Sequence, residues 1–67
     1  MHFDFTDLEA FLTLSRTLNV THAAEELRVT PSAVSLRLKR LERELDTTLF
    51  YRESRGLSLS PAGHAFE

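Results

Sequence analysis

The sequence contains no cysteine, only two glycines, and no apolar run long enough to cross a bilayer. Without cysteine the chain can form neither a disulfide framework nor a thiolate metal site. The scarcity of glycine excludes a glycine-rich phosphate-binding loop. A transmembrane helix needs about 20 consecutive apolar residues, and the early acidic residues of MHFDFTDLEA do not resemble a signal peptide. We therefore expect a cytoplasmic protein with no membrane association.

The chain also lacks the groups of residues that catalysis requires. At 67 residues it forms one small domain, and such a domain buries only about 60% of the surface of its extended chain. No nucleophile is paired with a base, and the neighbours Glu25 and Glu26 diverge by about 100° on a helix. His2, His22 and His64 have no partner at metal-binding helical spacing. The sequence predicts a domain that is not an enzyme and holds no metal or cofactor.

The charges are divided unevenly along the chain. The net charge is −2 and the isoelectric point is near 5.9, values that by themselves argue against a polyanionic partner. Residues 1–27 hold five acidic residues against one arginine, a balance of −4, whereas residues 28–55 hold seven basic residues against four acidic ones, a balance of +3. Because a phosphate backbone responds to the local field, residues 28–55 are the part that would attract nucleic acid.

Residues 20–42 contain two short helical patterns separated by a tight break. In the first pattern Ala23, Ala24 and Leu27 share one face, and the small alanines allow a second helix to approach closely. The break falls at residues 28–29. Two short helices joined in this way are typical of a helix-turn-helix motif.

The second helix has a clear start and a clear register. Thr30 is suited to cap its free amides, and Pro31 occupies the first helical position, where a missing N–H costs nothing. One stripe is apolar and predicts the buried face: Val34, Leu38, Leu41 and Leu45. The opposite side is polar and mostly cationic: Ser32, Leu36, Lys39, Arg40 and Arg43. In a helix-turn-helix the N-terminal end of this second helix enters the major groove of DNA, whereas in an ordinary helical hairpin the same side is merely solvated.

Several residues on the polar side have two interpretations. Ser32 and Ser35 either suit the start of a helix or contact bases. Leu36 is either an ordinary exposed leucine or a group that packs against a thymine methyl. We expect Lys39 and Arg40 to approach phosphate, while Arg43, farther along the helix, has an equally good explanation in local pairing with acidic residues.

A third helix is predicted upstream of this motif. Residues 6–9 fit a capping box between Thr6 and Glu9, with Phe5 as a hydrophobic staple, and Asn19 is suited to end the helix in a left-handed conformation. Its expected core face is broad: Leu8, Phe11, Leu12, Leu14, Ser15 and Leu18.

Beyond the motif the pattern changes to a β-hairpin. The segments LFYR and LSLS flank residues 53–56, which include a glycine. The hairpin must pack on the helices, through Leu49, Phe50, Leu57 and Leu59. An arginine at its tip, Arg55, is suited to a narrow minor groove, and Arg52 either joins it or braces the hairpin through an acidic partner. A further cap and proline at Ser60 and Pro61 predict another helix, which is still continuing where the sequence ends at Glu67. We therefore expect a fragment of a longer protein.

These segments together resemble a known family. The paired alanines with Leu27, the run VTPSAVSLRLKRLE, the segment LFYR, the Arg55-Gly56 pair and the run LSLSPAGHAF are similar to the N-terminal winged helix-turn-helix domain of LysR-type transcriptional regulators. The resemblance covers nearly the whole chain. It implies a mainly α fold with three helices, a two-stranded β wing, and the start of a C-terminal linker helix, with the DNA-binding domain at residues 1–59 and the linker helix at residues 60–67.

The resemblance also implies partners and roles. Members bind double-stranded operators of inverted-repeat character, form homodimers or tetramers through the linker helix, and bind a small-molecule inducer in a C-terminal domain that this sequence does not contain. By resemblance Pro31, Ser32, Ser35 and Leu36 face bases, Thr21 and His22 contact phosphate, and Arg55 is the wing arginine. The predicted DNA-contacting set is Thr21, His22, Thr30, Pro31, Ser32, Ser35, Leu36, Lys39, Arg40 and Arg55.

Two positions depart from the family pattern, and two other functions remain open. Leu36 stands where many members have a long polar or cationic residue, and Asp46 stands where a glycine usually ends the helix, a position that favours positive φ. The alternative functions are the similar N-terminal domain of a molybdate-responsive regulator and a winged-helix domain that binds only protein.

Overall fold

The computed structural model describes residues 4–54 and 56–66, and it has the predicted mainly α winged helix-turn-helix architecture. The elements in chain order are α1 (Phe5–Thr17), α2 (Val20–Leu27), α3 (Pro31–Leu45), β1 (Phe50–Glu53), β2 (Gly56–Leu59) and α4 (Pro61–Phe66). The three long helices pack on one another, and the antiparallel β1–β2 hairpin forms the wing. Within the described residues, every helix is too short or too polar to cross a bilayer.

Helix α1 begins earlier than the sequence pattern predicts. Its N-cap is Asp4, whose carboxylate accepts the Asp7 amide at 3.1 Å, while the Asp7 carboxylate accepts the Asp4 amide at 3.3 Å. The predicted capping box between Thr6 and Glu9 is therefore wrong. The Thr6 hydroxyl instead donates to the Asp4 carboxylate, and this bond, with the Asp7 amide, lowers the pKa of Asp4. Phe5 lies inside the helix and is exposed.

The end of α1 also differs from the prediction. The left-handed residue is Leu18, with φ 52°, and Asn19 has extended backbone and caps α2 by accepting the His22 amide at 3.0 Å. Asn19 therefore starts one helix rather than ending the other. Because α1 and α2 are separated by only two residues, the chain must turn at Leu18, where a non-glycine residue rarely adopts positive φ.

The buried face of α1 is rotated from the expected one. Leu12 and Leu18 are exposed, and the face that meets the core is formed by Asp7, Ala10, Phe11, Thr13 and Leu14. Residues at spacings of three, four and seven place Asp7 in the same stripe as Ala10, Phe11 and Leu14. A carboxylate inside this stripe hides it from a search for apolar periodicity.

The core lies between α1, α2, α3 and the start of β1. The two alanines of α2 are buried, and Val34, Leu38 and Leu41 of α3 are buried as predicted, with Leu45 packed at the edge. The core cluster is completed by residues from α1, from the segment before β1 and from β1 itself: Phe11, Leu14, Leu49 and Phe50. The Phe11 ring contacts the Phe50 ring at a centroid distance of 5.6 Å. The predicted rotational phase of α3 is confirmed.

The wing is attached to the helices at both of its ends. Leu49 and Phe50 are buried, and Leu57 and Leu59 pack at the core edge, as predicted. The Glu42 carboxylate on α3 accepts the backbone amides of Leu49 at 2.7 Å and Phe50 at 3.3 Å. In the hairpin Phe50 pairs with Leu59 and Glu53 with Gly56. These bonds fix the position of the start of the wing relative to α3.

Helix α4 begins at the predicted cap. The Ser60 hydroxyl accepts the Gly63 amide at 2.9 Å and donates to the Thr48 carbonyl at 2.6 Å, so it joins the start of α4 to the segment before β1. Gly63 lies against this segment, because a Cβ built there would be 2.3 Å from the Leu49 carbonyl oxygen. The predicted end of this helix at Glu67 lies outside the described residues.

Asp46 occupies the left-handed position that the sequence pattern predicts, with φ 50° and ψ 47°. We expect Asp46→Gly to raise the free energy of unfolding by about 1 kcal/mol, because it removes backbone strain and a carboxylate at the negative end of the α3 dipole. Urea unfolding of both proteins measures the change. Asp46→Ala is the control, since it removes the charge but keeps the Cβ. Equal stabilisation by both variants would show that the backbone conformation is not the cause.

Candidate nucleic-acid interface

The N-terminus of α3 is exposed and well defined. The Thr30 side chain accepts the Ala33 amide at 3.1 Å, and Pro31 occupies the first turn. Thr30, Pro31 and Ser32 are exposed to solvent. A capped helix start that projects from the surface is the part of a helix-turn-helix that enters a groove of DNA.

Five side chains at this helix start line one shallow depression, which we call the recognition patch: Pro31, Ser32, Ser35, Leu36 and Lys39. Ser35 is half-buried and the other four are exposed. Leu36 is 64% exposed. The patch lies opposite the buried stripe of Val34, Leu38 and Leu41, so α3 buries one side and presents the other. The structure brings together five of the ten residues that the sequence predicted to contact DNA.

Arg40 has a different environment from Lys39. Its Nε donates to Asp7 Oδ2 at 2.9 Å, and one terminal nitrogen donates to Asp7 Oδ1 at 2.8 Å. Asp7 is fully buried, whereas the Arg40 side chain is 48% exposed. Hydrogen bonding by the Asp7 carboxylate raises the pKa of Arg40. The pair therefore holds α3 against the start of α1, and two of the five N–H donors of Arg40 are bound to Asp7.

Sequence reasoning missed Asp7 because nothing local connects it to Arg40. The two residues are 33 positions apart. One signal was present, since Asp7 shares the spacing of the buried residues Ala10, Phe11 and Leu14, and a carboxylate in a core stripe requires a partner. A buried acid of this kind pairs with whichever cation the fold brings close.

Thr21 and His22 lie in the first turn of α2, and both are exposed. Val20, their neighbour, lines a second depression together with four wing residues: Arg52, Glu53, Gly56 and Leu57. The wing is therefore adjacent to the start of α2. Thr21 and His22 are not among the residues that line this depression.

The structure describes one of the two wing arginines, Arg52. Arg55 lies outside the described residues. Arg52 is exposed on β1 opposite Leu57. The ion pairs found between described residues join Arg16 to Glu26 and Arg40 to Asp7, so the acidic partner considered for Arg52 is not among them. Glu53, the nearest acid in sequence, accepts the Ser58 hydroxyl at 2.6 Å instead.

Residues 5–64 match the family described as "Bacterial regulatory helix-turn-helix protein, lysR family". The transcriptional regulator YofA of Bacillus velezensis is 46% identical over 57 residues, which cover 85% of this chain and 20% of that protein. This chain therefore spans about a fifth of the length of that relative.

Two solved complexes with DNA share the fold. The DNA-binding domain of CbnR bound to DNA superposes with a TM-score of 0.90 at 33% identity, covering 96% of this chain and 74% of that one. DarR of Vibrio fischeri bound to DNA superposes with a TM-score of 0.92 at 36% identity, covering 98% of this chain and 23% of that one. The architecture described above is thus shared with proteins that have been solved in complex with DNA.

Proposed function

The chain belongs to the LysR family of bacterial regulators as a winged helix-turn-helix DNA-binding domain, and we propose that its recognition patch contacts base edges in the major groove of an operator. The observation that carries this proposal is the rotational phase of α3. Its buried stripe fixes the helix in the core, and its capped start presents Pro31, Ser32 and Leu36 to solvent.

The other predicted residues surround this contact. Thr21, His22 and Thr30 offer side-chain donors to phosphate oxygens at the starts of α2 and α3, and Lys39 offers a cation one turn beyond Leu36. Arg55 enters the minor groove from the wing tip. We assign Arg40 to holding α3 against α1 through Asp7, to which its guanidinium is hydrogen-bonded. Together these contacts would span two neighbouring grooves.

The proposal extends to the whole protein. The relatives are transcriptional regulators, and this chain would serve as the N-terminal domain of one in the bacterial cytoplasm. The protein is not an enzyme. It forms a homodimer or tetramer through the helix that begins with α4, binds an operator of inverted-repeat character, and responds to a small-molecule inducer held by a C-terminal domain. The family match favours this function over a molybdate-responsive regulator.

Selection from a random pool of duplex DNA tests the function of the patch. We expect the chain to enrich one half-site, or two in inverted repeat spaced by one or two helical turns of about 34–36 Å. The Ser32→Glu variant should enrich no motif, because a carboxylate in the patch repels phosphate. The variant should still fold, since a glutamate in the first turn of a helix stabilises that helix. Leu12→Glu places the same charge at an exposed position of α1, and this variant should enrich the original motif.

The result separates DNA binding from the protein-interaction alternative. A domain whose patch binds only protein would enrich no motif in any variant. Loss of the motif in Leu12→Glu as well as Ser32→Glu would mean that net charge, rather than the patch, determines binding.

A further inference from the structure

Leu36 is the most exposed leucine among the described residues, and it lines the recognition patch. Its neighbours in the depression carry hydroxyl groups on Ser32 and Ser35 and an ammonium group on Lys39. No packing reason places an apolar side chain here, because the core of α3 is on the opposite face. The position therefore calls for an explanation in terms of what the patch binds.

The direction of the side chain extends its reach. On a helix a long side chain points back toward the N-terminus and covers the surface over the preceding turn. Leu36 therefore covers the region of Ser32, four residues earlier, at the end of α3 that enters the groove first. This places the methyl groups of Leu36 near the N-terminal end of α3.

The chemistry of base edges limits what these methyl groups can contact. In the major groove, guanine, adenine and cytosine present acceptors and amino groups, and only thymine presents a methyl group. A leucine that covers an acceptor or an amino group removes its water and offers no hydrogen bond in return. A leucine that meets the thymine methyl buries apolar surface from both partners.

We propose that Leu36 selects, at one position of each half-site, a base that carries a 5-methyl group in the major groove. This inference rests on the proposed function of the patch. Ser32 and Ser35 do not select thymine in this way, because a hydroxyl group both donates and accepts hydrogen bonds and so tolerates several bases. Lys39 lies three residues beyond Leu36 and lines the same depression. Thymine is the natural base with this group, and 5-methylcytosine shares it.

Single replacement of thymine by deoxyuridine removes the methyl group and leaves base pairing unchanged. The enriched duplex is made with each thymine replaced in turn, and the dissociation constant is measured for the chain and for Leu36→Ala. We expect one replacement per half-site to weaken binding by about 3- to 10-fold, the effect of one buried methyl contact. In Leu36→Ala the same replacement should change binding by less than about twofold.

Matched measurements isolate Leu36. Leu12→Ala removes an exposed leucine of α1, and deoxyuridine should weaken the binding of this variant as much as that of the unchanged chain. Replacing the critical thymine by cytosine should weaken binding, and 5-methylcytosine at that place should recover about the same 3- to 10-fold. Leu36→Ala should fold normally, since the side chain is exposed and alanine favours helix.

The outcomes distinguish this inference from the proposed function. If the chain enriches a motif but deoxyuridine changes nothing at any position, the function stands and the methyl contact is wrong. A deoxyuridine penalty that is equally large in Leu36→Ala assigns the contact to another residue and also overturns the inference. If no motif is enriched at all, the proposed function and this inference both fail.

Discussion

Asp7→Asn is expected to lower the free energy of unfolding by about 2–3 kcal/mol, a large part of the stability of a domain of this size. Asp7 is fully buried, and its two oxygens accept hydrogen bonds from Arg40 at 2.8 and 2.9 Å. Asparagine has the same shape but lacks the charge, and its amide group would place a donor against the donors of Arg40. The same change weakens the bond that closes the α1 cap.

Urea unfolding followed by circular dichroism measures this loss. Glu26→Gln is the matched control, because it breaks the exposed Arg16–Glu26 pair, whose side chains are 62% and 45% exposed. An exposed pair contributes little to stability, so the control should unfold at nearly the wild-type urea concentration. Comparable losses in both variants would show that burial of the Asp7 carboxylate does not set the strength of its pair with Arg40.

The helix-turn-helix itself could be predicted because its signals are local. Thr30 and Pro31 lie beside the helix they begin, and Val34, Leu38 and Leu41 recur with the period of one helix face. The same holds for Ser60 at the start of α4. A cap or a periodic stripe depends on neighbours within one or two turns, so it is visible in the sequence.

The features that the sequence did not reveal depend on distant parts of the chain. The Asp7–Arg40 pair joins residues 33 positions apart, and Glu42 binds amides seven and eight residues beyond it. Local periodicity assigns charged residues to the solvent side of a helix, so it predicts neither contact. At Leu18 the short distance between α1 and α2 overrides the preference of leucine for negative φ.

The candidate interface likewise has features that local sequence predicts and features that depend on distant residues. The recognition patch was predictable because α3 turns by a fixed angle per residue, so knowing the buried stripe determines the opposite face. The role of each cation on that face was not predictable. Lys39 and Arg40 are adjacent in sequence, yet of the two only Arg40 forms an ion pair with a buried acid among the residues that the structure describes. Proximity in sequence and shared charge therefore do not imply a shared role.

This difference makes a prediction about the salt dependence of DNA binding. Because the charge of Arg40 is paired with that of Asp7, Lys39 and Arg55 are the proposed cations that displace counterions from phosphate. Each such contact contributes about 0.9 to the slope of log affinity against log salt concentration. Two contacts per chain should weaken binding about tenfold per bound chain when salt rises from about 50 to about 200 mM. A patch that binds protein through apolar contact would show little change.

Fluorescence anisotropy on the enriched duplex at several salt concentrations gives these slopes. Lys39→Gln should reduce the slope by about 0.9 per chain, because it removes one phosphate contact. The double variant Asp7→Asn with Arg40→Gln replaces an ion pair by a neutral pair and leaves the net charge unchanged, so its slope should equal that of the wild type when it is measured under conditions where the variant is folded. A reduction as large as that of Lys39→Gln would instead assign Arg40 to phosphate, as its position in the sequence first suggested. The slopes thus distinguish a cation that contacts DNA from a cation that holds α3 in place.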